Sequence, residues 1–181
     1  GNHNVRNALA ATSVALAADI SLDKIKQGLE SFVPVNGRMQ AKKISSNITL
    51  IDDSYNANPD SVRAAIDALK QSGAPSWLVL GDMGEVGQQG SEFHQEVGAY
   101  AQAQGIDQVL CLGELALHTA QAAGAVAQHL SDIDALNAEV TRRMAHVGSV
   151  LVKGSRFMKM ERVIDAILVG DNKKKEATSC C

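Results

Sequence analysis

Apolar positions recur at helical spacing at the start of the chain and change to short blocks after residue 38. Val5 to Ala18 is Ala-rich with a helical period, and Ser21 stands as an N-cap before Leu22 to Phe32. In that second segment Leu22, Ile25, Leu29 and Phe32 share a face. Pro34 and Gly37 end the helical pair. From Arg38 onward, β-type runs alternate with helical ones. Ile48 to Ile51 reads as a strand, followed by a polar loop and a helix from Pro59 to Gln71. Asn58 suits the cap of that helix and Pro59 its first turn, where a missing N–H costs nothing. Trp77 to Leu80 is an unbroken apolar run, the signature of a strand buried on both faces. A helix over Ser91 to Gln104, a strand over Val109 to Leu112 and a short helix over Glu114 to Ala123 come next. A weaker strand over Val126 to Leu130 precedes a helix over Ser131 to Met144, capped by Ser131 or Asp132. Val150 to Val152 is the last strand, and Met158 to Leu168 the last helix.

This alternation predicts an α/β fold: a Rossmann-like, mostly parallel sheet with helices on both faces and right-handed crossovers, preceded by a helical pair. The boundary belongs near Val33 to Arg38, giving a helical segment over 1–35, an α/β domain over 36–170 and a flexible tail over 171–181. The tail DNKKKEATSCC has no apolar period. Two helices cannot build a core alone, so 1–35 reads as the end of a preceding domain, and the start at Gly1 rather than Met leads to the expectation of a fragment.

Composition narrows the function classes. The chain has 181 residues, 45% hydrophobic and 20% charged, with a net charge of −3. That is a globular balance, without the basic excess that neutralises nucleic-acid phosphates. Aromatic residues make up 3%, too few for a base-stacking surface. No apolar run reaches the roughly 18–20 residues of a membrane span. Cys111, Cys180 and Cys181 are too few and too badly placed for a disulfide framework, so a cytoplasmic location is expected, with Cys111 in the core.

In an open parallel sheet, ligands bind beyond the carboxyl ends of the strands. Four loops qualify there. In Asp52-Asp53-Ser54-Tyr55-Asn56-Ala57-Asn58 a carboxylate suits vicinal ribose hydroxyls, and Asn side chains suit amide or base edges; an Asx-rich turn capping the next helix fits equally. Gly81-Asp82-Met83-Gly84-Glu85-Val86-Gly87 lacks G-x-G-x-x-G spacing, and its acids repel phosphate. A flexible acidic loop of this kind suits an ammonium group or a partner domain, or is a solvated turn. Gly113-Glu114 forms the third loop. Lys153, Ser155 and Arg156, at the start of a helix, suit a carboxylate or phosphate, or form plain surface. His3, His94, His118, His129 and His146 have no metal-ligand spacing, so no metal site is expected; His94 is within reach of the acidic loop, with surface or packing the simpler role. No G-x-S-x-G elbow and no G-x-x-x-x-G-K-[ST] phosphate loop is present.

Several segments together resemble the Mur ligases, the ATP-dependent enzymes that build the peptide of bacterial peptidoglycan. They are Gly1-Asn2-His3-Asn4-Val5-Arg6-Asn7-Ala8-Leu9-Ala10-Ala11, Pro34-Val35-Asn36-Gly37-Arg38 and Ile51-Asp52-Asp53-Ser54-Tyr55-Asn56-Ala57-Asn58-Pro59. LGDMGEVG and LVKGSR follow in order, and the resemblance extends to about Val169. It is greatest to the branch that joins D-alanyl-D-alanine to UDP-MurNAc-tripeptide. It implies that 1–35 closes a central ATPase domain and that 36–170 is the family's C-terminal α/β domain. It also implies ATP and Mg²⁺, with the phosphate loop and magnesium ligands elsewhere, an acyl-phosphate intermediate, a cytoplasmic monomer as the whole protein, and no activity for this chain alone. By the same resemblance Arg38 is the catalytic arginine at the γ-phosphate and Asn7 contacts adenine. Asp53 contacts the ribose, and Asn4, Tyr55 and Asn58 complete the nucleotide site. Lys153, Ser155 and Arg156 face the carboxylate of the incoming amino component, and Asp82 or Glu85 its amine.

Two alternatives have different sequence signatures. A neighbouring ligase of the family, adding a diamino acid, is expected to carry D-N-P-R; the nearest string here is Asp60-Ser61-Val62-Arg63 on a helix surface. A non-catalytic Rossmann-like module would bind a nucleotide tightly on its own.

Overall fold

The computed structural model describes the backbone of residues 2–33, 35–44 and 47–179, and their side chains except those of 2–4 and 173–179. The chain forms two compact units, 1–35 and 36–181.

The first unit holds α1 (Asn2–Ala17) and α2 (Leu22–Glu30). Ser21 occupies the N-cap of α2 in extended conformation without a side-chain bond, and Asp23 places a negative charge in the first turn. Of the four apolar residues sharing a face of this segment, Ile25 is buried while Leu22, Leu29 and Phe32 are exposed. Leu9, Val14 and Leu16 of α1 are exposed as well, so the pair encloses little core of its own.

The second unit is a six-stranded sheet in the order β1-β2-β6-β3-β4-β5. Its strands are β1 (Gln40–Ile44), β2 (Ile48–Asp53), β3 (Ser76–Gly81), β4 (Gln108–Leu112), β5 (Ala127–Leu130) and β6 (Ser149–Lys153). β1 runs antiparallel to β2, and every other neighbouring pair is parallel. The hydrophobic pattern does not predict β1, because QAKKI has no apolar alternation. It is an edge strand, where lysines deter further pairing. β3 and β6 are buried along their full lengths, as unbroken apolar runs require.

Period-two alternation sorts the strand residues into two cores. Ile51, Leu78, Leu80, Val109 and Leu151 face one layer of helices: α3 (Pro59–Lys70), α4 (Gly90–Ala103) and α5 (Ala116–Ala123). Leu50, Trp77, Val79, Leu110, Val150 and Val152 face the other layer: α6 (Ile133–Arg143) and α7 (Glu161–Ser179). Asn58 caps α3 by accepting from the Ser61 N–H, and Ser61 Oγ accepts from the Asn58 N–H in return. Asp132, not Ser131, caps α6 through the Ala135 N–H.

One expectation near the C-terminus is corrected. The last helix starts at Glu161, after a separate 3₁₀ turn over Arg156–Met158, so Lys153, Ser155 and Arg156 do not stand at its N-terminus. The segment expected to be a flexible tail continues α7 as far as Ser179, since Lys, Glu and Ala sustain a helix without any apolar period. Cys180 and Cys181 lie outside the described residues.

Candidate active site

The carboxyl ends of β2, β6 and β3 lie side by side, because β6 pairs with both of the others. Parallel register sets Asp53, the last residue of β2, directly beside Lys153, the last of β6. The Lys153 ammonium donates to Asp53 Oδ2 at 2.5 Å and to the Asn56 carbonyl at 2.9 Å. Asp53 Oδ1 accepts from the Met39 N–H at 3.0 Å. Lys153 is 3% exposed. Burying this pair is tolerable because each charge meets its opposite and further hydrogen bonds satisfy both.

The acidic loop after β3, expected to be flexible, is held on several sides. Asp82 is buried, its Oδ1 accepting from the Ala116 N–H at 2.7 Å, where a carboxylate offsets the positive end of α5. The Asp82 carbonyl accepts from the Ser155 N–H, and the Gly84 N–H donates to Ser155 Oγ at 2.5 Å. Ser155 Oγ also donates to the Ala57 carbonyl at 3.3 Å, so one hydroxyl joins the loops after β2, β3 and β6.

His94 on α4 completes the anchorage. It is fully buried, and its Nε2 accepts from the Met83 N–H at 3.0 Å. Nδ1 therefore carries the proton and donates to Thr119 Oγ1 at 2.8 Å, and that hydroxyl donates to the His94 carbonyl at 3.0 Å. Desolvation by burial outweighs the charge of Asp82 and lowers the His94 pKa from 6.5 to about 4. Sequence placed His94 near this loop but favoured surface or packing; the donor that fixes it is a backbone group and leaves no signature in side-chain order.

Arg38, Tyr55, Glu85 and Arg156 remain exposed around this edge. The Arg38 guanidinium carbon lies 4.5 Å from the Tyr55 ring centroid, and that of Arg156 lies 5.8 Å from the same ring. Arg156 also pairs with Glu161 at 3.4 Å. Asn58 is exposed, its side-chain oxygen engaged in the cap of α3. Asn7 is exposed on α1, and the side chain of Asn4 lies outside the described residues. Among the described residues, no group of three or more His, Cys, Asp or Glu side chains is placed to hold a metal ion. No described helix is long and apolar enough to cross a membrane.

Comparison with known proteins bears on what this edge does. Residues 37–156 match the family profile described as Mur ligase, glutamate ligase domain. The UDP-N-acetylmuramoyl-tripeptide–D-alanyl-D-alanine ligase of Escherichia coli is 40% identical over 169 residues, covering 92% of this chain and 37% of the relative. The ligase of the same name from Haemophilus influenzae is 39% identical over 170 residues, covering 91% of this chain and 37% of its own length. Among solved structures, MurF from Acinetobacter baumannii superposes with a TM-score of 0.81 at 32% identity, over 92% of this chain and 37% of that one. MurF from Thermotoga maritima, solved in complex with ADP, gives a TM-score of 0.77 at 25% identity, over 90% of this chain and 37% of that one. The chain thus spans little more than a third of the length of these relatives. With its mostly parallel sheet, its linked loops and a profile match over 37–156, the chain belongs to the Mur ligase family.

Proposed function

We propose that this chain is part of a cytoplasmic, ATP-dependent ligase that joins D-alanyl-D-alanine to UDP-MurNAc-tripeptide. The observation that carries this reading is 40% identity, across 92% of the chain, to the E. coli enzyme of that name. A carboxylate is a poor electrophile. In the proposed reaction the tripeptide carboxylate oxygen attacks the γ-phosphorus of ATP, and ADP departs to leave an acyl phosphate. The dipeptide amine, having lost its proton, then attacks the acyl carbon and inorganic phosphate leaves.

Charge spreads over the phosphoryl oxygens during the first step, and cationic side chains are its natural stabilisers. Arg38 is proposed for that role, since it is exposed, unburdened by an ion pair among the described residues and steadied by the Tyr55 ring. Asp53 is proposed to accept from the ribose hydroxyls. A carboxylate offers about four lone-pair directions, and the Met39 and Lys153 contacts occupy two. Asn7 and Asn4 are proposed for adenine, and the Asn58 amide nitrogen for the nucleotide.

Arg156 and Glu85 are the exposed candidates for the carboxylate and amine of the dipeptide. Ser155 and Asp82 act behind them by holding the loops. Mg²⁺ fits no cluster of described residues, and no role in this chain is assigned to it.

The chain contains no phosphate-binding loop, so it is expected to release no phosphate from ATP by itself. The decisive measurement uses a chimera of the upstream part of the E. coli ligase with this chain. Phosphate release that requires both UDP-MurNAc-tripeptide and D-alanyl-D-alanine is expected. A folded, ATP-binding chimera that accepts a diamino acid instead of the dipeptide would overturn the reading.

A further inference from the structure

Lys153 ends a strand at the edge where substrates are proposed to bind, and a lysine so placed invites the role of a ligand cation. Its surroundings point elsewhere. The side chain is 3% exposed, and its ammonium is committed to Asp53 and to the Asn56 carbonyl. Each contact leads to Arg38. Through Asp53, Lys153 fixes the carboxylate whose other oxygen holds the Met39 N–H. That N–H belongs to the peptide joining Arg38 to Met39, and Met39 has a φ of 49°, a left-handed conformation uncommon for a residue with a side chain. Through Asn56, Lys153 holds the loop that carries Tyr55, whose own N–H donates to the Gly37 carbonyl and whose ring lies against the Arg38 guanidinium. One path ends at the backbone of Arg38 and the other at its guanidinium.

We infer that Lys153 is a positioning residue: through Asp53 and the Asn56 carbonyl it sets the backbone turn and the aromatic ring that aim Arg38, and it does not contact the incoming substrate. The inference about Arg38's task rests on the proposed ligase reaction; the inference about its placement does not.

Amide hydrogen exchange on this chain tests the placement. Lys153→Met keeps the stem and removes the ammonium, and it is expected to speed exchange at Met39 and Tyr55 by about tenfold or more while Val79 and Leu110 change by less than about twofold. Should the unpaired Asp53 charge prevent folding, the double variant Asp53→Asn/Lys153→Met buries neither charge, and faster exchange at the same two amides is expected there. Unchanged exchange at Met39 and Tyr55, or equal acceleration throughout the sheet, would overturn the proposal.

In the chimeric ligase, Lys153→Met is expected to lower kcat by about tenfold or more with KM for D-alanyl-D-alanine nearly unchanged. A raised KM with kcat intact makes Lys153 a substrate contact and overturns the proposal. An unmodified chimera without ligase activity counts against the ligase reading alone, and the exchange measurement then decides the placement.

Discussion

Arg38 and Tyr55 stack at the carboxyl edge of the sheet, with the guanidinium carbon 4.5 Å from the ring centroid. The contact joins the turn before β1 to the loop after β2, and the Tyr55 N–H reinforces it by donating to Gly37. An exposed cation held over an aromatic face keeps its charge available while losing much of its freedom to wander. That is the condition under which a side chain stabilises charge without first having to reorganise.

Arg38→Ala therefore separates function from folding. An exposed cation–π contact contributes about 0.5–1 kcal/mol, so the melting temperature of this chain is expected to fall by no more than about 4 °C. In the chimeric ligase the turnover is expected to fall by about a hundredfold or more. Calorimetry and a phosphate-release assay read the two effects, and a large thermal loss with turnover intact would assign Arg38 to structure.

Asp53→Asn tests the ribose contact. Alanine is the wrong replacement because it leaves the buried Lys153 ammonium facing a void, whereas asparagine retains an oxygen for it. Losing a charge-assisted contact is expected to weaken ATP binding by the chimeric ligase roughly tenfold. Binding of 2′,3′-dideoxy-ATP, which has no hydroxyl to offer, is expected to be unaffected by the substitution. Equal losses for both nucleotides would mean that Asp53 holds only the loop.

Gly113 follows β4 at a φ of 119°, and a Cβ there would lie 2.3 Å from Asp82 Oδ1. Gly113→Ala must displace the carboxylate from α5 as well as strain the backbone, and a loss of about 2–4 kcal/mol in urea unfolding is expected. Gly73, with a φ of 120° and open space around it, supplies the control. Its alanine variant is expected to show the backbone strain alone, and equal losses at both positions would remove the role assigned to Asp82.

His94 makes stability depend on pH in a stated direction. Its pKa in the folded chain is about 4, below the 6.5 of the unfolded chain, so the unfolded state binds the proton more readily. The stabilisation is complete above pH 6.5 and is lost as pH falls from there toward 4. Between pH 7 and pH 5 the His94 contribution is expected to fall by about 2 kcal/mol. His94→Gln, able to accept from Met83 and donate to Thr119 without titrating, is expected to lack this component when the two chains are compared by urea unfolding at both pH values.

The elements were legible where burial leaves a period. WLVL and VLCL are unbroken because their strands are covered on both faces, and Asn58-Pro59 marks a helix start by local hydrogen bonding. QAKKI carries no such period because an edge strand with little burial needs no apolar pattern, and its pairing with β2 comes from backbone groups. At the site, Arg38 and Tyr55 were singled out through the family resemblance, and they lie together in the structure. Lys153, Ser155 and Asp82 were singled out as substrate contacts, yet each is buried with its polar groups engaged inside the protein.

The sequence by itself determined the order and type of most elements and the set of loops at the carboxyl edge. These follow from local periodicity, capping and the direction of parallel strands. Only the tertiary structure decided which charged side chains face solvent and which are spent on one another. Asp53 and Lys153 stand 100 positions apart, and Gly84 and Ser155 stand 71 apart. A polar residue at a strand end reads the same along the chain whether it awaits a ligand or neutralises a neighbour. The difference is desolvation and a partner at hydrogen-bond distance, and both exist only after the strands have paired.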